Sequence, residues 1–196
     1  MSAPVDPRAR EVLDFWFDAP GGPEHGLARE AWFRKDPAFD EAIRARFGAL
    51  VDEAAVGALD GWVDDGRGAL ALLVVCDQFP RNLFRGDARA FALDPRALAA
   101  ARRVVAEGRD LGWRPVERAF AYLPFEHSES LDDQREAVRL FGLLRDDPQA
   151  GGYLEWALKH LAVIERFGRF PHRNEALGRA STPDELAFLA QPGSRF

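Results

Sequence analysis

Apolar residues return every three or four positions along most of the chain, which is the spacing that gives a helix one buried face. The stripes comprise Ala9, Val12, Leu13, Trp16 and Phe17; Phe39, Ile43, Phe47, Leu50 and Val51; Leu98, Ala101, Val104 and Val105; Val116, Ala119, Phe120 and Leu123; and Val138, Phe141 and Leu144. Residues 69–77 are apolar on every side and predict a short central helix. The pattern as a whole predicts a series of helices.

Helix starts are marked by an acidic or hydroxyl residue followed by proline. This dipeptide occurs at Asp6-Pro7, Asp36-Pro37, Asp94-Pro95, Asp147-Pro148 and Thr182-Pro183. The first side chain can accept a hydrogen bond from a free backbone N–H, and proline suits the first helical position. Thr182 and Glu185 also have the spacing of a capping box. Each dipeptide therefore predicts the N-terminus of a helix.

Composition agrees with helices, because the residues that favour β-strands are scarce. The 196 residues include two isoleucines and one threonine, while 47% are hydrophobic. The Gly-containing breaks between the stripes are each shorter than about ten residues, as in connections within one compact domain. We predict a single all-α domain over residues 1–196, built of antiparallel helical hairpins in a tetratricopeptide-repeat-like array. The Trp and Gly positions of the consensus tetratricopeptide repeat are missing, so any repeat is degenerate.

Charge and cysteine content exclude several classes of protein. Lys and Arg number 26 against 32 Asp and Glu, for a net charge of −6, which disfavours nucleic acid as a partner. The longest apolar run, residues 69–76, is less than half of the roughly 20 residues that span a membrane. Charged residues near the N-terminus disfavour a signal peptide, and the single Cys76 excludes an internal disulfide. We expect a cytoplasmic protein.

Two similar Phe-Pro segments, residues 78–82 and 169–174, each follow a predicted helix. In a structural interpretation, proline ends the helix, arginine bonds its last carbonyls and asparagine caps the next element. In a functional interpretation, the two helix ends meet, and Arg81, Arg169, His172 and Arg173 face a cavity that holds an anion. The sequence leaves both interpretations open.

A second polar cluster contains two acids, a histidine and two hydroxyls within residues 126–130. His127 is either a packing residue or a general acid or base, and Ser128 or Ser130 can cap the following helix. His160 lies on the apolar stripe of a later helix, so we expect its ring to face inward. It is either a satisfied core histidine or part of the cavity wall.

These segments together resemble a bacterial family known as domain of unknown function nine hundred and twenty-four. The matching segments are residues 12–17, 32–33, 77–82, 124–129, 163–174 and 181–183. The resemblance implies an all-helical fold similar to tetratricopeptide-repeat proteins, and it implies no established activity. It nominates as site residues Asp77, Gln78, Arg81, Asn82, His127, Ser128, Glu129, Arg166, Arg169, His172, Arg173 and Asn174. Glu126 departs from the apolar residue associated with its position, and we discount it.

The leading functional hypothesis is a polar cavity that binds a small carboxylate or phosphate. His127 would transfer protons there, and His160 joins the motif residues as a predicted ligand contact. The alternative is a helical module without catalysis that binds a protein or peptide. A metal site is the weakest class, because no histidine has the helical spacing of metal ligands. No metal or cofactor is predicted, and whether the chain is an enzyme stays open.

Overall fold

Helices cover most of residues 5–194, the part of the chain that this computed structural model describes. The helices are α1 (Pro7–Phe17), α2 (Pro37–Ala55), α3 (Gly66–Leu73), α4 (Phe79–Leu83), α5 (Asp94–Ala106), α6 (Pro115–Glu126), α7 (Leu131–Gly142), α8 (Tyr153–Phe167) and α9 (Pro183–Leu189). Short 3-10 turns connect several of them, and residues 5–194 contain no β-strand. The predicted all-α class is confirmed, and the repeat-like arrangement stays a prediction.

Three of the predicted helix starts have the expected cap. The carboxylate of Asp6 accepts a hydrogen bond from the backbone N–H of Arg8, at 2.9 Å, and that of Asp36 accepts one from Ala38, also at 2.9 Å. At α9 the Thr182 hydroxyl accepts from the Glu185 N–H while the Glu185 carboxylate accepts from the Thr182 N–H. This reciprocal pair is the predicted capping box.

Two predicted starts are wrong in detail. Asp94 is the first residue of α5 rather than its cap, because its carboxylate bonds the guanidinium of Arg81 instead of the local backbone. Asp147 accepts from the N–H groups of Gln149 and Ala150 and so stabilises a turn. The next helix begins only at Tyr153. In both places the side chain has a better partner than the helix end that follows it.

The predicted central helix is present and continues further than expected. After α3 the chain makes a π-helical turn, Val74–Gln78, and then enters α4. The Phe79 N–H donates to the carbonyl of Val74, five residues earlier. The prediction that Pro80 ends the helix is wrong, because Pro80 lies in the first turn of α4, where its missing N–H costs nothing. The wider π turn contains Asp77 and Gln78 and so positions these two polar side chains.

Aromatic side chains fill the core around this central segment. Trp16 contacts Phe79 and Phe120 edge to face, with ring centroids 5.6 and 5.8 Å apart, and Trp32 lies 4.8 Å from Phe120. Helices α5 to α8 each pack on the next in chain order. None of the helices within residues 5–194 is long and apolar enough to cross a membrane. The core therefore joins the N-terminal helices to α6, which carries the polar cluster.

The second Phe-Pro segment follows the end of α8. Gly168 adopts a left-handed conformation, with φ of 68°, which terminates α8 before Pro171 is reached. Pro171–Arg173 then forms a 3-10 turn. The prediction that proline ends this helix is wrong, since glycine ends it. The reversal returns Phe170 to the side of His160, with ring centroids 5.5 Å apart.

Candidate functional site

A cavity of about 660 Å³ lies between the end of α6, the start of α8 and the loop that precedes α2. Much of its wall is apolar and comes from Phe33, Leu123, Tyr153 and Trp156. Its polar part includes Glu126 and His127, at the end of α6, and His160, within α8. The cavity thus joins an apolar surface to a small group of titratable side chains.

His127 is held in one orientation by a buried carboxylate. It follows the last residue of α6, and its Nδ1 lies 2.7 Å from Oδ1 of Asp77. An ionised carboxylate only accepts, so the proton of the neutral ring belongs on Nδ1 and the lone pair on Nε2. Burial and the charge of Arg81 lower the pKa of His127. The ring is therefore a neutral base at neutral pH.

Asp77 is ionised although it is only 1% exposed. Burial works against its charge, but His127 and Arg81 outweigh that effect and lower the pKa of the carboxyl to about 2. The Gln78 amide donates to its Oδ2 at 2.5 Å, and Arg81 Nη1 lies 3.4 Å from its Oδ1. These partners keep a negative charge fixed behind the His127 ring.

Glu126 and His160 form a second polar pair in the cavity wall. The Nδ1 atom of His160 lies 2.9 Å from the carbonyl oxygen of Trp156 and 3.2 Å from Oε1 of Glu126. Burial and the charge of Asp77 raise the pKa of Glu126 to about 8, while burial lowers the pKa of His160 to about 3. Both side chains are neutral at neutral pH. Glu126, which the sequence analysis discounts as a functional residue, lies in the wall of the cavity.

Behind His127 the motif arginines form an ionic chain. Arg81 donates to both carboxylate oxygens of Asp94, at 2.8 and 3.0 Å, and Arg173 Nη1 lies 3.4 Å from the same carboxylate. The guanidinium of Arg173 also stacks over the rings of Phe91 and Phe170, at 4.7 and 4.5 Å.

His127, Arg81 and Arg173 are therefore linked through Asp77 and Asp94, but they do not all face the common cavity that the sequence analysis predicts. The two arginines face carboxylates of the chain itself, and neither lines the cavity formed by the described residues.

The other predicted arginines and acids lie outside the cavity wall. Arg169 binds Glu185 with two hydrogen bonds, at 2.6 and 2.8 Å, and these lower the pKa of that carboxyl to about 2. Glu129 receives two hydrogen bonds from Arg179, at 2.8 and 3.0 Å, and one from the backbone N–H of Phe170. These pairs fix the chain after α8 against α9 and the end of α6.

The remaining predicted residues also have local partners. Asn82 donates to Asp40, Ser128 donates to Asp133, Asn174 donates to Ser181 and Glu185, Arg166 stacks on Phe167, and the ring of His172 lies 5.6 Å from that of Phe170. Burial and the charge of Arg173 lower the pKa of His172 to about 3. Each of these contacts supports the local fold.

Sequence reasoning missed several residues of the cavity wall. Tyr153 and Trp156 were recognised on the stripe that contains His160, but only as apolar positions. Arg29 comes from the loop before α2, where no motif or periodicity marks it, and Phe33 was noted only as part of the family segment 32–33. Within residues 5–194 no group of three or more His, Cys, Asp or Glu side chains is arranged to hold a metal ion.

The helices within residues 5–194 and the cavity define an all-helical protein in which a carboxylate orients a histidine in the wall of an open cavity. The chain belongs to the family described as bacterial protein of unknown function (DUF924), whose model matches residues 12–193. A solved structure described as a protein of unknown function, ATU0120 from Agrobacterium tumefaciens, is 41% identical, with a TM-score of 0.80. The match covers 93% of this chain and 96% of that one. No curated protein matches the chain.

Proposed function

We propose that the chain binds a small organic molecule in the cavity and transfers a proton to or from it through His127. The observation that carries this proposal is the pairing of His127 with the buried carboxylate of Asp77 at the cavity wall, at 2.7 Å. The volume of about 660 Å³ lies within the range of small-molecule sites in proteins. The apolar wall would exclude water around the bound molecule.

The expected chemistry is general acid and base catalysis. The Nε2 lone pair of His127 accepts a proton from the ligand, and the resulting imidazolium is stabilised by the negative charge of Asp77. Arg81 stays paired with Asp94 and Asp77, so it supports the carboxylate without contacting the ligand. His127 is thus the proposed catalytic residue, and Asp77 and Arg81 are positioning residues.

The ligand is expected to have an apolar body and one acidic or carbonyl group. Phe33, Leu123 and Trp156 offer the body an apolar surface. The motif arginines already bind carboxylates of the chain, so an anion would instead meet Arg29 in the cavity wall. Its Nη1 and Nε atoms donate to backbone carbonyls and Glu24, and within residues 5–194 its Nη2 atom has no hydrogen-bond partner and can donate to a ligand. One such donor suits a small carboxylate better than a phosphate.

A peptide side chain is the second candidate occupant. Phe33 and Trp156 line the cavity while 61% and 48% of their surfaces stay exposed, as expected at the rim of a binding surface. In that case the cavity would hold an apolar side chain of a protein partner, and no proton transfer would follow. A screen with free small molecules distinguishes the two candidates.

A thermal-shift screen of small carboxylic acids with apolar or aromatic bodies tests the proposal. A ligand present at a hundred times its Kd should stabilise the wild type by about 2.7 kcal/mol. A carboxylate can contact Nε2 of His127 only if that nitrogen takes up a proton from solvent on binding, so we expect His127→Ala to fold and to lose this stabilisation. The matched control is His25→Ala, because His25 lies in a loop away from the cavity and bonds the carbonyl of Asp18.

Two results would contradict the proposal. One is that no acid stabilises the wild type, and the other is that the same acids stabilise wild type and His127→Ala equally. Truncating His127 leaves Asp77 bonded to Gln78 and Arg81, so the variant should lose only about 1–3 kcal/mol of stability. It therefore remains suitable for the comparison.

A further inference from the structure

Glu126 has one carboxyl oxygen that its surroundings in the chain leave unused. The residue ends α6, is only 3% exposed and lies in the cavity wall. Its Oε1 atom faces Nδ1 of His160, at 3.2 Å. Its Oε2 atom is buried and has no hydrogen-bond partner within residues 5–194. Buried polar atoms in proteins are almost always hydrogen-bonded, so this oxygen marks a place where a bound molecule can supply a partner.

The hydrogen-bond geometry determines which oxygen carries the proton. The Nδ1–H group of His160 donates to the Trp156 carbonyl oxygen at 2.9 Å, and Nδ1 lies only 3.2 Å from Oε1 of Glu126, so a second hydrogen on Oε1 would be repelled. When the carboxyl is neutral, its single proton therefore belongs on Oε2. The cavity wall then contains a carboxylic acid whose O–H donor has no partner within residues 5–194.

The charged and titratable groups around Glu126 favour this neutral form. Asp77 lies behind it with a fixed negative charge, which together with burial raises the pKa of Glu126 to about 8. Burial and the Glu126 charge also raise the pKa of Tyr153, so this phenol stays neutral. The other ionisable groups that line the same cavity are Arg29, Glu30, His127 and His160.

We propose that Glu126 acts as a carboxylic acid that donates a hydrogen bond from Oε2 to a carbonyl or carboxylate oxygen of the bound ligand. The inference rests on the proposed function, because it needs a ligand in the cavity. It adds a specificity rule, since an apolar molecule without an acceptor oxygen would leave the buried O–H group unpaired. With His127 as base, the wall then combines a proton acceptor and a proton donor.

Two variants of Glu126 separate hydrogen-bond donation from shape. Glu126→Gln keeps an acceptor for His160 and replaces the O–H donor with an N–H donor that does not titrate. Glu126→Leu removes both functions at similar volume, and it should fold because it replaces a buried polar group that lacks one partner. The probes are phenylacetamide, which has a carbonyl oxygen, and ethylbenzene, which has none.

NMR titrations of both probes, at one pH well below 8 and one well above it, give the decisive comparison. Below pH 8 we expect Glu126→Leu to bind phenylacetamide about tenfold more weakly than the wild type does, as for the loss of one hydrogen bond. The wild type should weaken about tenfold above its Glu126 pKa of about 8, whereas Glu126→Gln should bind equally at both pH values. Ethylbenzene should show neither change.

The outcomes distinguish this inference from the proposed function. If both probes bind and Glu126→Leu binds phenylacetamide as tightly as the wild type, the donor role is overturned while the cavity remains a binding site. If neither probe binds any variant, both proposals fail. A carbon-13 titration of the Glu126 carboxyl in the free protein is an independent check. A pKa in the ordinary glutamate range, about 4.3, would overturn the inference regardless of binding.

Discussion

At the scale of single residues, the site depends on contacts between side chains that are distant in sequence. The sequence could nominate His127, because a histidine beside two acids and two hydroxyls is a recognisable cluster. It could not identify Asp77 as the partner, since the two residues are 50 positions apart. For the same reason it misjudged the arginines, because the carboxylate that holds Arg81 and Arg173 belongs to Asp94, which was predicted as a helix cap.

Replacing Asp77 with asparagine tests the pairing at the residue scale. The negative charge of Asp77 raises the pKa of His127, although burial lowers it overall. Asp77→Asn keeps the shape of the side chain and removes the charge, so the pKa of His127 should fall further. An NMR titration of the His127 ring measures this shift, with the exposed Asp87→Asn as control. An unchanged pKa would show that Asp77 does not polarise the ring.

Glu126 gives a prediction on stability. Its pKa is raised to about 8 in the folded chain, so between the ordinary glutamate value and pH 8 the folded state binds more protons than the unfolded one. Stability should therefore fall as pH rises through this window. Relative to its own stability near pH 4, the wild type should lose up to roughly 5 kcal/mol above pH 8, whereas Glu126→Gln should lose none of this contribution. Urea unfolding at several pH values measures the difference, and a constant difference would contradict the account.

At the scale of elements, the sequence predicted those features that depend on interactions between residues close together in the chain. The helical stripes and the caps at Asp6, Asp36 and Thr182 depend on residues within a few positions of one another. The π-helical turn at Val74–Gln78 has no comparable signal, because no spacing of apolar residues in the sequence distinguishes it from an ordinary buried helix. The start predicted at Asp147 failed since the same side chain caps a turn as readily as a helix.

The attachment of α9 to the rest of the chain should weaken as pH falls. The pKa of Glu185 is lowered to about 2, chiefly by its hydrogen bonds with Arg169, so its contribution is present above the ordinary glutamate pKa and is lost as pH falls towards 2. Amide hydrogen exchange in α9 should accelerate, relative to the core helices, across that window.

Glu185→Gln should show the faster exchange of α9 already at neutral pH. Glu155→Gln, which alters an exposed pair on α8, serves as the control and should leave α9 unchanged. If Glu185→Gln protects α9 as well as the wild type does, the ion pair with Arg169 does not hold the helix.

At the scale of the whole molecule, the cavity is a product of packing that no segment encodes alone. Its wall combines the loop before α2, the end of α6 and one side of α8, and the Ala28 N–H donates to the side chain of Gln149 across 121 positions of sequence. The prediction that polar segments lie together rested on the two similar Phe-Pro segments and on their positions at predicted helix ends. The apolar half of the cavity was beyond that reasoning, because its residues look like ordinary core positions.

Filling the cavity without touching its polar groups tests the central claim most directly. Gly152 lies in the cavity wall with φ of −65°, and a Cβ atom there meets nothing within 4 Å, so Gly152→Leu should fold normally. Gly48→Leu, on α2, has equal space outside the cavity and is the matched control. In the thermal-shift screen with small carboxylic acids, Gly152→Leu should lose the stabilisation that wild type and Gly48→Leu retain. Equal stabilisation of all three proteins would show that these acids do not bind in the cavity.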